Sequence, residues 1–462
     1  MRLILTCFLL LCADTITAQN TTDGAFAQPL EIVLKEIETR YGIHIRYDKA
    51  LVEGKVLKYA RWRFRPNLEE TLANVLAPFD LKVKPDGNNK FKISKYEYYR
   101  WVPSEGWAEL DRIAAQYKNI EEWEARKKLL RPQLYRALQL AKLPTYPISQ
   151  AILTPLRKYN GYTIQNIAIE ILPGVWINGS LYKPARYKGK IPVILNPDGH
   201  WEKHRYRPDC QYRCAALAKM GAMTFSYDLF AWGESGLQFE YADHRRSLSQ
   251  TIQVLGAIRI LDYLLSLPDA DTTRVGITGG SGGGSHTVLM SALDSRIKVS
   301  APVVSLSSYF YGGCPCESGM PIYFCAGGTD NVELAAMAAP NPQLVVSDGA
   351  DWTDKMPEHD FPFLQKMYSW YGKKDNVENL HLPTEKHDYG INKRIGVYKF
   401  MAKHLGLNLS VISDKTGAIN EAGITIEPEN KMFVFGDHGE TLPTRAVKGF
   451  ENLEKIFYQA IK

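Results

Sequence analysis

No block of lysine and arginine interrupts this sequence: its 56 basic residues are spread among 50 acidic ones, leaving a formal net charge of +6. Nucleic-acid binders gather basic side chains in one run or on one face, so nucleic acid is not expected as a partner. A mild basic excess suits an acidic substrate, although on a chain of 462 residues it is weak evidence by itself. Long apolar runs are also missing. The one near the start, Leu3 to Ala13, is too short for a permanent membrane span. Preceded by Arg2 and followed by the small residues of Thr17-Ala18-Gln19, it reads as an export signal over residues 1–19. Leu10-Leu11-Cys12 lacks the small residue that precedes a lipidated cysteine, so a soluble periplasmic or secreted protein is expected. Cysteine is scarce, and beyond that signal only Cys210, Cys214, Cys314, Cys316 and Cys325 remain. Export permits disulfides, and an odd count leaves at least one thiol outside any intrachain pair. Cys314-Pro315-Cys316 hints at metal or redox chemistry, but no His/Cys set at zinc spacing accompanies it. Neither a metal nor another cofactor is therefore expected.

What is present is ordinary globular composition, 45% hydrophobic and 23% charged, in a length that suits two or three domains. Residues 26–95 read as a small α+β domain. Leu30, Val33, Leu34 and Ile37 recur at helical spacing, and Gly42 stops that helix. Ile43 to Tyr47 alternates as a strand, and Leu68 to Leu76 is a second helix with Asn67 as its cap. Leu81-Lys82-Val83 and Phe91-Lys92-Ile93 flank Asp86-Gly87-Asn88 as a hairpin. Residues 98–159 read as a helical lead-in, with Trp107, Leu110, Ile113 and Ala114 on one apolar stripe. From 160 to 410 buried-strand runs alternate with helices, after an antiparallel pair at Ile164–Ile171 and Val175–Leu181. They are Val193–Leu195, Met223–Tyr227, Val275–Thr278, Val299–Val304, Gln343–Val346 and Val377–Leu382, which predicts a mostly parallel, doubly wound sheet covered on both faces. Residues 411–462 form a C-terminal extension in which Thr425-Ile426 and Phe433–Phe435 are candidate strands and Lys448 to Ile461 a final helix.

The chemistry is concentrated in that central region. Gly279-Gly280-Ser281-Gly282-Gly283 follows a strand and precedes a helix, the setting of a nucleophile elbow, and it lacks the Lys-Ser/Thr of a phosphate-binding loop. Ser281 is the expected nucleophile, with the N–H of Gly282 aimed at a developing oxyanion. Asn196-Pro197-Asp198-Gly199-His200-Trp201 follows an earlier strand, where the second donor belongs, and the His200 N–H is the candidate. The triad order Ser, acid, His points to the run Asp348-Gly349-Ala350-Asp351-Trp352-Thr353-Asp354 for the acid and to the loop after the last strand for the base. Asp351 is favoured because it lies past the turn glycine, with Asp348 and Asp354 left open, and His387 is favoured over His359, His381 and His404. Trp201, Arg205, Arg207 and Glu317 are candidate substrate contacts, the two arginines as a basic rim.

These motifs make residues 160–410 resemble the acetylxylan-esterase-like branch of the α/β-hydrolases. The shared runs are Asn196–Trp201, Tyr227-Asp228 with Gly233-Glu234-Ser235, Gly279–Gly283, Cys314–Gly319, Ser347–Trp352 and His387-Asp388-Tyr389-Gly390. The resemblance implies a catalytic triad of Ser281, Asp351 and His387, and a carbohydrate esterase that trims plant cell-wall polysaccharide without a cofactor. Related families remove methyl esters from pectic galacturonate rather than acetyl groups from xylan, and the two substrates stand close to even, with the pectic methyl ester a little behind. Glucuronoyl esterases carry Arg directly after the nucleophile, where this chain has Gly282. Residues 26–95 are similar to the short N-terminal domain of secretins and TonB-dependent receptors, through Leu30, Leu34, Gly42-Ile43, Leu68–Leu72 and Leu76. Two other classes are weaker. Peptidases of prolyl-oligopeptidase type share the core but usually carry a large extra domain, and a non-catalytic signalling protein would not need an intact Ser, Asp and His set.

Overall fold

The computed structural model of this chain describes residues 26–79, 81–95, 101–147, 150–310, 312–317 and 320–462. The expected export signal, with Cys7 and Cys12, lies outside them, as do Ser318 and Gly319. Two compact units divide at residue 98.

The first unit is a small α+β body. Helix Leu30–Tyr41 buries Leu30, Val33, Leu34 and Ile37, and ends on Gly42 in the left-handed region at φ 63°. Helix Leu68–Leu76 starts at Asn67, whose side chain accepts from the Glu70 N–H at 2.8 Å. Strand Lys90–Lys95 pairs with Leu81–Pro85 antiparallel and with His44–Arg46 parallel.

The second unit is built on a ten-stranded sheet. Its strands are β1 (Ile152–Leu153), β2 (Arg157–Lys158), β3 (Tyr162–Leu172), β4 (Val175–Pro184), β5 (Ile191–Pro197), β6 (Met223–Tyr227), β7 (Ala270–Gly280), β8 (Val299–Val303), β9 (Gln343–Asp348) and β10 (Val377–Leu382). The order is β10-β9-β8-β7-β5-β6-β4-β3-β1, with β2 also on β3. From β6 to β10 every pairing is parallel, and β4, β3 and β1 extend the edge antiparallel. The helices used below are α1 (Pro103–Ala114), α2 (Ile120–Ala137), α3 (Pro208–Lys219), α4 (Ser249–Ser266), α5 (Gly282–Leu293), α6 (Asn331–Ala336), α7 (Asp360–Ser369), α8 (Ile391–Leu405) and α9 (Phe450–Ala460).

The pleat explains how the core is divided. Val193 and Leu195 of β5 face one layer and Ile194 the other, and in β9 Val345 opposes Leu344 and Val346. One layer holds apolar residues of α1, α2, α4, α5, α6, α7 and α9, and the other holds those of α3 and α8. Central strands are thus apolar on both faces, and β7 is buried without a break from Val275 to Gly280.

Two sequence expectations need correction. The segment 98–159 is not helical throughout: after α1 and α2 it supplies β1 and β2, because Ile152–Leu153 and Arg157–Lys158 pair with β3. No strand forms at Thr425-Ile426 or Phe433–Phe435. There the backbone groups are taken by side chains instead of a ladder. Glu234 accepts from the N–H of Val434 and Phe435, while Asn166 donates to the carbonyls of Lys431 and Phe433.

His286, on α5, adds a pH term. It is 4% exposed, its Nε2 has no hydrogen-bond partner among the described residues, and burial pushes its imidazole down to about 4 from 6.5. The unfolded chain protonates this group near 6.5 and the folded one only near 4, so between those values the unfolded state binds more protons. Stability from this group is therefore present above pH 6.5 and falls by about 3 kcal/mol as the pH drops to 4. Urea midpoints measured from pH 7 to pH 4 are expected to fall less steeply in His286→Leu than in the parent.

Candidate active site

Strand β7 ends at Gly280, and Ser281 turns the chain into α5 at φ 54° and ψ −125°. That conformation is unfavourable for a residue with a side chain and is held by its surroundings. The Ser281 N–H donates to the Val303 carbonyl at 3.0 Å, and its own carbonyl accepts from Gly284 at 2.8 Å. A β-carbon at Gly283 would lie 2.4 Å from the Pro197 carbonyl oxygen, so only glycine allows this approach. The helix begins at Gly282, and its first N–H groups have no partner within the helix.

The loop after β10 brings His387 to this turn. Its Nε2 lies 2.9 Å from Ser281 Oγ, and its Nδ1 lies 2.6 Å from Asp351 Oδ2. A carboxylate only accepts, so Nδ1 carries the proton and Nε2 is left to accept from the serine hydroxyl. Asp351 is itself fixed: its Oδ1 accepts from the Thr353 N–H at 2.7 Å and the Thr353 hydroxyl at 2.6 Å. The other two aspartates left open by the sequence are engaged elsewhere. Asp348 faces Lys393 Nζ at 3.0 Å in a fully buried pair, and Asp354 accepts from the Tyr309 hydroxyl at 2.8 Å. His381 bonds Ser347, and His359 stacks on Trp107. The rings of Trp352 and Trp201 flank His387 at 4.6 and 5.6 Å. Tyr389 ties the same loop to β7 through Thr278 Oγ1 at 2.7 Å.

The turn after β5 closes the other side. A β-carbon at Gly199 would meet the Gly280 carbonyl oxygen at 2.5 Å and Ser281 Cβ at 3.0 Å, which sets this turn against the nucleophile. The neighbouring His200 turns its ring away into a cluster. Its Nδ1 lies 2.9 Å from Glu317 Oε1, and its Nε2 lies 2.7 Å from His244 Nε2 and 3.1 Å from Cys316 Sγ.

Three of the expected substrate contacts have partners within the protein, and the rim placement of Arg205 is corrected. Arg205 is fully buried rather than on a rim, bonded to Asp228, Ser180 Oγ and the Met432 carbonyl. Arg207 is held bidentately by Asp198, also pairs with Asp209, and covers the Trp201 ring at 4.7 Å. Glu317 is turned to His200 and to the Ser285 hydroxyl. A desolvated guanidinium needs such partners, and these leave both arginines committed. Trp201 stands beside His387, and Glu317 lies against the nucleophile turn, 3.3 Å from where a β-carbon on Gly282 would be. Among the described residues no disulfide joins the five cysteines. Zinc spacing is absent around Cys314-Pro315-Cys316 in the sequence, yet the fold gathers His200, His244, Cys314 and Cys316 to within 4.8 Å of one another. No local pattern marks His244, which the fold alone supplies.

Residues 163–311 match the acetyl xylan esterase family (AXE1). The solved structure of methylesterase BT1017 is 47% identical in sequence and superposes with a TM-score of 0.88, the match covering 95% of this chain and 99% of that one. Acetyl esterase Axe7A of Xylanibacter ruminicola is 30% identical over 138 residues, 26% of this chain and 30% of that protein. The uncharacterised protein YcjY of Escherichia coli K12 is 32% identical over 99 residues, 21% of this chain and 31% of that protein. This chain thus spans less than a third of the length of these two curated relatives.

Proposed function

This chain belongs to the family of methylesterase BT1017, an esterase family with the α/β-hydrolase fold, and from that premise we propose that it is an exported serine methylesterase acting on uronic-acid methyl esters of plant polysaccharide such as pectin. The observation that carries the reading is the hydrogen-bonded series Ser281–His387–Asp351 beside the backbone turns at Gly199-His200 and Ser281-Gly282. His387 takes the Ser281 proton as Oγ attacks the ester carbonyl. The N–H groups of Gly282 and His200 receive the oxyanion, assisted by the N-terminus of α5. His387 then protonates the departing methoxide, so methanol leaves and a uronyl ester remains on Ser281. Water, deprotonated by His387, attacks that ester and releases the free carboxylate. Identity of 47% to a methylesterase along nearly the whole chain favours this over acetyl transfer to water, to which the family name and Axe7A point. The basic rim no longer contributes to the choice, since Arg205 and Arg207 are bound to acidic partners.

Methanol release from methyl-esterified pectin and acetate release from acetylated xylan, each against a Ser281→Ala blank, test the assignment. Methanol alone is expected, and acetate alone would replace it with the acetylesterase reading. A second test targets the close turn. Gly199→Ala pushes a methyl group into backbone and the nucleophile, and a displacement of that order lowers kcat by about 100-fold. Steady-state kinetics with the melting temperature held as a control check this.

A further inference from the structure

The cluster behind the oxyanion turn carries a chemistry that ester hydrolysis does not use. His200 Nε2 and His244 Nε2 approach to 2.7 Å, Cys316 Sγ lies 3.1 Å from His200 Nε2, and Cys314 Sγ lies 3.5 Å from each imidazole Nε2. His244, Cys314 and Cys316 are each at most 3% exposed. The opposite ring nitrogens are already assigned. His244 Nδ1 meets the Phe230 carbonyl oxygen, which can only accept, so this nitrogen carries the proton. His200 Nδ1 meets the Glu317 carboxylate at 2.9 Å, which asks for the same tautomer. Two ring nitrogens 2.7 Å apart share either a proton carried by one of them or a cation held between them, and the two cysteine sulfurs beside them add donors suited to a cation.

We propose that His200, His244, Cys314 and Cys316 bind one zinc ion in a closed four-ligand site. Two imidazole nitrogens and two sulfurs are the donor set that selects tetrahedral zinc among common divalent ions. Ligand atoms of such a site stand about 3.3 to 3.8 Å apart, so the pairs at 2.7 and 3.1 Å widen and the widest separations, up to 4.8 Å, close by a comparable amount to admit the ion. On binding, each thiol gives up its proton to solvent and both imidazoles stay neutral, leaving two thiolates to cancel the charge of the ion. The outer partners fit the same design. A carboxylate on one histidine and a backbone carbonyl on the other fix the rings with Nε2 inward. Gln250 and Gln253 hold the cysteine loop by donating to the carbonyls of Glu317 and Cys316.

With four protein ligands no position is left for a bound water, so the ion is structural. It joins the turn after β5, the 241–245 turn and the 314–317 loop, three segments with no disulfide among them. One ligand, His200, is the residue whose N–H faces the oxyanion in the serine-esterase reading, and the ion's effect on catalysis rests on that reading. The binding itself does not. A β-carbon on Gly282 would lie 2.6 Å from the His200 ring, so the cluster also backs directly on the nucleophile helix. The ion would then act as a positioning device for the turn and take no part in bond making.

The test uses the full chain, purified reduced, without chelator and without a histidine tag, and measures metal by mass spectrometry. About one zinc per chain is expected, falling to less than about one tenth in Cys314→Ser/Cys316→Ser and in His244→Gln. Cobalt added to the metal-stripped protein is expected to give the sulfur-to-cobalt charge-transfer band and intense visible bands of tetrahedral thiolate coordination. Cys210→Ser, which alters a buried cysteine outside the cluster, keeps the metal, and so does Ser281→Ala while losing hydrolysis. If the esterase reading fails, the zinc count stands unchanged. Protein that holds no zinc as purified and takes up neither zinc nor cobalt with its thiols reduced overturns the site. Retention of the full metal complement by the double cysteine variant overturns it equally.

Discussion

Replacing Ser281 by alanine is expected to lower ester turnover by about a millionfold while leaving the melting temperature near that of the parent. Oγ is the only atom removed, and it touches His387 Nε2 at 2.9 Å without anchoring the turn, which is held by backbone bonds to Val303, Gly284 and Ser285. His387→Ala should cost about as much, since neither residue works without the other. Asp351→Asn is the more informative change. The amide keeps the shape of the side chain but presents a donor or a neutral acceptor to Nδ1, and kcat is expected to fall about 10,000-fold. Asp354→Asn neutralises a partner of Tyr309, not of the imidazole, and its turnover should stay within about tenfold of the parent. Equal losses in Asp351→Asn and Asp354→Asn would contradict this assignment of the acid. Initial rates of methanol release decide the matter.

Arg205→Ala is expected to act on stability rather than on substrate affinity. Its guanidinium and the Asp228 carboxylate are 0% and 1% exposed, and Glu234 lies 3.7 Å away on the same cation. Deleting the arginine leaves two acids and the Ser180 hydroxyl facing an empty, dry space. Breaking a buried ion pair from one side costs about 3–5 kcal/mol, because the remaining charge is uncompensated. For the unit Tyr99–Lys462, with an unfolding entropy of about 2.1 cal/mol/K per residue, that lowers the melting temperature by roughly 4–7 °C. The loss should be partly recovered in Arg205→Met/Asp228→Asn, which removes both charges together. A rim residue would behave in the opposite way, raising KM on pectin with no change in melting temperature. Differential scanning calorimetry beside steady-state kinetics separates the two behaviours.

Most of the sheet is legible in the sequence because periodicity is local. Val193–Leu195 and Leu344–Val346 are apolar without alternation, which in a chain of alternating helices means strands buried on both faces. The elbow is legible for the same reason: a strand, small residues around one serine and a helix start are all specified within about ten residues. The failures have a different origin. Thr425-Ile426 and Phe433–Phe435 have strand composition, but Thr425 bonds to the Tyr162 hydroxyl and Phe433–Phe435 to Asn166 and Glu234, far away in the chain. Whether β-branched and aromatic residues pair into a ladder depends on what backbone they meet, which is a tertiary fact.

By itself, then, the sequence determined the alternating architecture, the serine at the sharp turn, and the order in which its partners follow. Those features need only neighbours in the chain and the fixed hand of strand-helix-strand connections. Only the tertiary structure decided which of three aspartates reaches His387, because all three sit within seven residues and differ solely in the direction of their side chains. It also decided that Arg205 is buried among acids and that His200 meets His244 and Cys316, across 44 and 116 residues of chain. Charge says nothing about burial until the partners arrive. A ligand set drawn from three separate loops has no spacing to read, because the sheet, and not the chain, brings its members together.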